Sequence, residues 1–121
     1  MVPNPIVHIE FSAKNPSEAG KFYSELFGWE LQPWPEFNYV TFESKPGPGG
    51  GFSEIDGKMY KPGDVIAYIQ VDDLEAILKN IESLGGKTLV PRQAIGASSW
   101  FAFFADPSGN RVGLFTSNPP A

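Results

Sequence analysis

An internal repeat constrains this chain more than any other feature of its sequence. Residues 5–55 and 64–116 follow the same order of patterns, and residues 56–63 between them are polar and rich in glycine and proline. Each copy begins with alternating apolar and polar residues, continues with apolar residues at helical spacing, and ends in three short strand patterns. The repeat predicts two βαβββ modules joined by a linker, with residues 117–121 as a frayed tail.

Residue types that begin and end helices stand at matching places in both copies. In the first copy Asn15, Pro16 and Glu18 suit the N-cap, the first turn and a capping box, and Gly28 suits the helix end. In the second copy Asp72 with Glu75 predicts the capping box, and Gly85 the end. The apolar positions predict which helix faces pack on the sheets: Ala19, Phe22, Tyr23, Leu26 and Phe27, then Leu74, Ile77, Leu78, Ile81 and Leu84.

A single module of this kind would leave one face of its sheet bare, so the two modules are expected to pair. The predicted fold class is α+β, with two tandem βαβββ modules forming an open cup of mixed β-sheet. Bare faces and exposed strand edges also predict a homodimer.

Composition excludes several kinds of function. The 121 residues carry 9 Lys and Arg against 14 Asp and Glu, and the basic residues are scattered, which predicts no nucleic-acid partner. No apolar run approaches the roughly 20 residues of a membrane span, and the N-terminus lacks a leader pattern, so we expect a cytoplasmic protein without membrane contact. The chain has no cysteine and one histidine, which excludes thiolate chemistry and any site with several imidazoles from one chain.

Strand alternation separates a helix-covered set of side chains from a set that faces the cup. In the first strand His8, Glu10 and Ser12 belong to the cup set, and in the fifth Ile66, Tyr68 and Gln70 do. Polar groups beside aromatic ones suit a small-molecule pocket, although the same pattern also fits a face that is merely wet. The predicted ligand-binding residues are His8, Glu10, Ser12, Phe52, Tyr68, Gln70, Trp100 and Gly113.

His8 and Glu10 are the candidate catalytic residues. An imidazole titrates near neutral pH, and a carboxylate two residues along a strand can orient it. The alternative is that His8 is a satisfied polar residue without a chemical role. Two further features are less specific: the glycine-rich segment 46–51 is expected to be a flexible turn or a lid, and Trp34, between two prolines, a dimer contact or cavity rim.

Three segments resemble the vicinal oxygen chelate superfamily, which includes glyoxalase I, extradiol dioxygenases and bleomycin-resistance proteins. They are VHIEFSAKNPSEAGKFYSELFGWEL, AYIQVDDLEAILKNIESLGGKTLVP and WFAFFADPSGNRVGLF, and they cover nearly the whole chain. The resemblance implies a ligand in the cup, and in metal-using members one metal ligand from the first and last strand of each module. The matching positions are His8, Ile66, Gly113 and Phe52, or Gly51 with a register shift of one.

These positions favour a protein that binds a small organic molecule without a complete metal site, since Phe52, Ile66 and Gly113 cannot ligate. No cofactor is predicted. The alternative is a glyoxalase-like lyase or isomerase with a divalent metal held by His8 with Glu10 or Glu54, or shared between subunits. A third hypothesis is an interaction module without a small ligand.

Overall fold

The computed structural model describes residues 3–117, which form two compact units. One unit is residues 7–66, and the other is residues 67–117 together with residues 3–6. The first module consists of β1 (Ile6–Ala13), α1 (Pro16–Phe27), β2 (Glu30–Trp34), a 3-10 turn (Pro35–Phe37), β3 (Tyr39–Glu43) and β4 (Gly49–Glu54). The second consists of β5 (Val65–Gln70), α2 (Leu74–Ser83), β6 (Lys87–Ala94), β7 (Ser99–Ala105) and β8 (Arg111–Ser117).

Each module carries a mixed sheet. The strand order is β2-β3-β4-β1 in the first and β5-β8-β7-β6 in the second. In both modules the first and last strands pair in parallel, and the remaining neighbours are antiparallel. The prediction of an α+β fold made of two βαβββ modules is confirmed.

Helix α1 begins and ends where the sequence predicts, but it buries only part of the predicted face: Ala19 and Tyr23 pack against the core. The Asn15 side chain accepts a hydrogen bond from the Glu18 backbone, and Gly28 adopts a left-handed conformation at the helix end. Phe22, Leu26 and Phe27, however, are 57, 59 and 60 % exposed, so their prediction as core residues is wrong. The helix instead buries Pro16 and Gly20.

Gly20 explains this packing of α1. A Cβ atom at Gly20 would lie 3.2 Å from Val40 Cγ1 and 3.3 Å from Leu31 Cδ1. Because glycine lacks that atom, the helix backbone approaches β2 and β3 along this line. Phe22, Leu26 and Phe27, on the flank of the helix, therefore stay exposed.

Helix α2 begins one residue later than predicted. Asp73, not Asp72, is the N-cap, and its side chain accepts a hydrogen bond from the Ala76 backbone at 3.1 Å. This start places Leu74 at the first helical position, where it is buried in the core. Leu84 lies beyond the last helical turn and is exposed, so it does not belong to the buried face as predicted.

The core of each unit lies between its helix and one face of its sheet. The first core contains Val40, Phe42 and Phe52 with Phe11, Tyr23 and Trp29, and the second contains Val71, Leu74, Leu78, Ala102 and Leu114. Strand β8 includes Ser117, and the rest of the predicted tail, residues 118–121, lies outside the described residues. Within residues 3–117 neither helix has the length and apolar character needed to cross a bilayer.

Candidate functional site

The face of the first sheet that α1 does not cover carries a cluster of polar side chains. Alternation along β1 puts His8, Glu10 and Ser12 on this face, because Ile9 and Phe11 pack in the core beneath α1. In the parallel pair of β1 and β4, Glu10 lies opposite Gly51 and Ser12 opposite Ser53. Residues of β4 therefore complete the face beside His8 and Glu10.

Glu10 is the centre of this cluster. The residue is only 3 % exposed, and its Oε2 lies 2.6 Å from His8 Nε2. The Tyr39 hydroxyl donates to Oε2 at 3.1 Å, and the Ser53 hydroxyl donates to Oε1 at 2.6 Å. A buried carboxylate is costly unless hydrogen bonds replace its water, and these three side chains replace it here. His8, with a side chain 32 % exposed, is the member of the pair that solvent reaches.

Tyr39 is held as a neutral hydrogen-bond donor. Burial raises the pKa of its hydroxyl far above the ordinary 10.0, and the charge of Glu10, the hydrogen bond to Glu10 and nearby Tyr60 raise it further. The same hydroxyl lies 3.4 Å from His8 Nε2. Tyr39 therefore joins Glu10 and His8 in one network and keeps its proton at neutral pH.

Gly51 provides the space that Tyr39 occupies. A Cβ atom at Gly51 would collide with the Tyr39 hydroxyl and would lie 2.6 Å from Tyr39 Cε1. A side chain at Gly50 would meet the Ile9 carbonyl and Phe42 Cζ. The stretch Gly49–Gly51 is thus strand backbone paired with β1 and not part of the predicted turn, which lies before Gly49.

A cleft of about 340 Å³ lies beside His8 in the first unit. It reaches from His8 to Thr41 and Ser44, and Gly49 and Gly50 form part of its wall. Its volume falls within the usual range of about 300–1,000 Å³ for small-molecule sites. His8 is thus both a partner of Glu10 and a residue of this cleft.

The other predicted residues of the first module have different places. Phe52 lies on the helix-covered face and is fully buried in the core. Glu54 lies two residues further along β4 on the side of Phe52 and is exposed, so it is not brought together with His8 and Glu10. Ser12 Oγ is buried and has no hydrogen-bond partner among residues 3–117.

In the second unit the predicted ligand-binding residues are mostly occupied with one another. Tyr68 is buried, and its ring lies edge-on to the ring of Phe103, with 5.7 Å between the two centroids. The Tyr68 ring also fills the space above Gly113, because a Cβ atom there would lie 2.5 Å from Tyr68 Cδ2. Trp100 packs against the core on the α2 side, with Arg92 5.8 Å from its ring. Gln70 is exposed.

The residues do not fit the metal site that the resemblance implies. In the first module Gly51 lies opposite Glu10, and at the matching place of the second module Gly113 lies opposite Tyr68. The metal-ligand position on the last strand of the first module is therefore Gly51 and not Phe52. Among residues 3–117, no group of three or more His, Cys, Asp or Glu side chains is close enough together to hold a metal ion. His8 and Glu10 supply two such donors, whereas protein zinc sites use three or four.

Sequence patterns miss Tyr39 and Ser53, which complete the cluster. Ser53 follows from the strand register, because it faces Ser12 across the parallel pair. For Tyr39 the signal is a large side chain on β3 whose ring reaches a glycine of the adjacent strand β4. Neither signal is visible until the register of the strands is known.

Comparisons with known proteins agree with this architecture. A family model described as a glyoxalase-like domain matches residues 8–115. A glyoxylase-like domain-containing protein of Didymella fabae is 33 % identical over 119 residues, covering 89 % of this chain and 90 % of that protein. The putative glyoxylase CFP32 of Mycobacterium bovis is 28 % identical over 127 residues, covering 91 % of this chain and 44 % of that protein. This chain therefore spans less than half the length of CFP32.

A solved structure shows the same fold at low sequence identity. It is a glyoxalase/bleomycin resistance protein/dioxygenase superfamily member from Vibrio splendidus, which superimposes with a TM-score of 0.70 at 13 % identity. The superposition covers 95 % of this chain and 100 % of that one.

Proposed function

Because the chain belongs to the glyoxalase-like domain family of the vicinal oxygen chelate superfamily, we propose that it binds a small organic molecule in the cleft beside His8. The observation that carries the proposal is the buried Glu10 carboxylate, which is tied to Tyr39, Ser53 and His8. Of these residues His8 also lines a cleft of about 340 Å³. The ligand would exchange hydrogen bonds with the exposed imidazole.

The placement of the cluster supports a binding role over a purely structural one. The apolar core of the first unit lies on the opposite face of the sheet, so packing there does not require a buried acid. Burying Glu10 costs free energy that its partners only offset. Strained or costly polar arrangements of this kind are concentrated at functional sites.

The binding proposal is tested by NMR on isotope-labelled protein titrated with small hydroxyketones, including 2-acetylcyclohexanol. We expect shift changes at the backbone amides of His8, Thr41 and Gly49, and their loss in His8→Ala. Glu54→Ala is the matched control, because that carboxylate lies on the other face and should leave binding unchanged. Shift changes confined to other parts of the protein would contradict the proposal.

A second candidate function is proton transfer by a glyoxalase-like lyase or isomerase. The observation that favours it is the distance of 2.6 Å between His8 Nε2 and Glu10 Oε2. A carboxylate in this position orients an imidazole, as a general base requires. The imidazole would take a proton from a carbon next to a carbonyl group and return it to the substrate.

Exchange of deuterium into hydroxyacetone in heavy water, followed by NMR, tests this second function. An enzyme of this kind accelerates exchange at the carbons beside the carbonyl, and both His8→Ala and Glu10→Gln abolish the acceleration. If the exchange rate with the wild type equals the rate with His8→Ala, the protein does not transfer protons and binding remains its proposed function.

We further propose that two copies of the chain pair through α1. Phe22, Leu26 and Phe27 leave an apolar surface on this helix that is more than half exposed, and such surfaces are typical of interfaces. Sedimentation of the wild type should give a dimer, and Phe22→Ser with Leu26→Ser a monomer. A wild-type monomer would contradict this proposal.

A cytoplasmic location and the absence of a nucleic-acid partner stay predictions from composition.

A further inference from the structure

Trp34 shares the sheet face of the His8 cluster. It lies directly opposite Tyr39 in the antiparallel pair of β2 and β3, so both side chains are on the side that α1 does not cover. Trp34 is 42 % exposed. An exposed indole on the face that carries the buried polar network is unusual, because large aromatic side chains mostly lie in cores.

The orientation of this indole is fixed by hydrogen bonds. Its Nε1 donates to Thr41 Oγ1 at 3.1 Å, and the Thr41 hydroxyl donates in turn to the Gln32 carbonyl at 3.3 Å. Thr41 is also a residue of the cleft beside His8. One side chain therefore both borders the cleft and holds the indole, which makes Trp34 a neighbour of the cleft.

We infer that Trp34 is a stacking platform for the ligand of this cleft, and that the ligand carries a planar conjugated ring system with a hydroxyl or carbonyl oxygen. The inference rests on the proposed binding function. The indole offers a π-face for the ring, and His8 offers a hydrogen bond for the oxygen.

Calorimetry with two probes that both carry a hydroxyl and a ketone group tests the inference. The planar probe is 1-hydroxy-2-acetonaphthone, and the non-planar one is 2-acetylcyclohexanol. Trp34→Ala should weaken binding of the planar probe about fivefold, since aromatic stacking is worth about 1 kcal/mol, and should leave the non-planar probe unchanged. Trp34→Phe should recover most of the affinity because it keeps a ring.

Two further variants separate stacking from other effects. Thr41→Val keeps the shape of the side chain but removes the hydroxyl that orients the indole, so it should weaken the planar probe severalfold, and Thr41→Ser should not. Phe22→Ala removes an exposed aromatic ring from α1, outside the cleft, and should change neither affinity. Near-ultraviolet circular dichroism verifies that each variant is folded.

The possible results distinguish this inference from the proposed function. If His8→Ala weakens both probes but Trp34→Ala weakens neither, or both equally, the stacking role is overturned and the binding function stands. The same holds if the wild type binds only the non-planar probe, or if Trp34→Ala changes the oligomeric state and no affinity. If the wild type binds neither probe, the proposed function itself fails.

Discussion

Replacing Gly51 with alanine tests whether Tyr39 is held over the strand as the geometry requires. The new Cβ atom would occupy the position of the Tyr39 hydroxyl and lie 2.6 Å from Tyr39 Cε1. Real Cβ atoms do not tolerate such contacts, so the ring must leave its place. Tyr39 then loses its hydrogen bond to Glu10, which stays buried with one donor fewer.

The expected loss of stability follows from three contributions. A hydrogen bond to a charged group contributes about 1.5–3 kcal/mol, and forcing an extra carbon into a packed site costs about 1–3 kcal/mol. Gly51 has no positive φ angle, so alanine suits its backbone and stabilises a strand by about 0.5–1 kcal/mol over glycine. Gly51→Ala should therefore lower the free energy of unfolding by about 1.5–5.5 kcal/mol.

A double-mutant cycle in urea, followed by circular dichroism, isolates the contact with Tyr39. In a Tyr39→Ala background the ring is absent, and Gly51→Ala should become neutral or slightly stabilising. Gly28→Ala is the control: Gly28 has a φ of 75° with no atom within 4 Å of its Cβ position, so its cost should be the same in both backgrounds. An equal cost of Gly51→Ala in both backgrounds would refute the reasoning.

Three other predictions concern the ionisation of Tyr39, the cap of α2 and the acids Glu10 and Glu54. Burial beside Glu10 raises the pKa of Tyr39 above 10.0, so above pH 10 the folded protein keeps a proton that the unfolded chain loses. The free energy of unfolding should therefore fall by up to about 1.4 kcal/mol per pH unit above pH 10. Urea unfolding of Tyr39→Phe should lack this fall. Asp73→Ala should cost about 1 kcal/mol as the loss of an N-cap, while Asp72→Ala stays within about 0.5 kcal/mol in thermal unfolding. Glu10→Gln should cost about 2–3 kcal/mol because its buried partners lose a charged acceptor, whereas Glu54→Gln, compared in the same urea assay, stays within about 0.5 kcal/mol.

Much of the fold follows from local patterns in the sequence. Asn15, Pro16 and Gly28 determine both ends of α1, because their backbone and side-chain preferences act within a few residues. The choice between Asp72 and Asp73 does not follow, since both can cap. It is decided by tertiary packing, which places Leu74 in the core. The buried face of α1 likewise depends on the close approach of Val40 to Gly20, which no periodicity shows.

The candidate site divides in the same way. His8 and Glu10 follow from alternation in one strand, and the structure places them 2.6 Å apart. Tyr39 and Ser53 come from other strands, and their positions depend on pairing register. A shift of one residue moves a side chain to the other face. The sequence alone therefore does not decide between Phe52 and Gly51, and the pairing register places Gly51 on the face of Glu10.

Gly51 and Gly113 have a consequence for how sites of this kind change during evolution. Both stand where the resemblance implies a metal ligand, and each lies under a tyrosine ring, Tyr39 in one module and Tyr68 in the other. A glutamate introduced at either position would collide with that ring before it could reach an ion. Recovery of each ligand therefore requires a substitution of the glycine and another of the tyrosine above it, and either change alone gives a poorly packed protein. Single substitutions therefore do not readily restore a metal ligand at Gly51 or Gly113 during evolution.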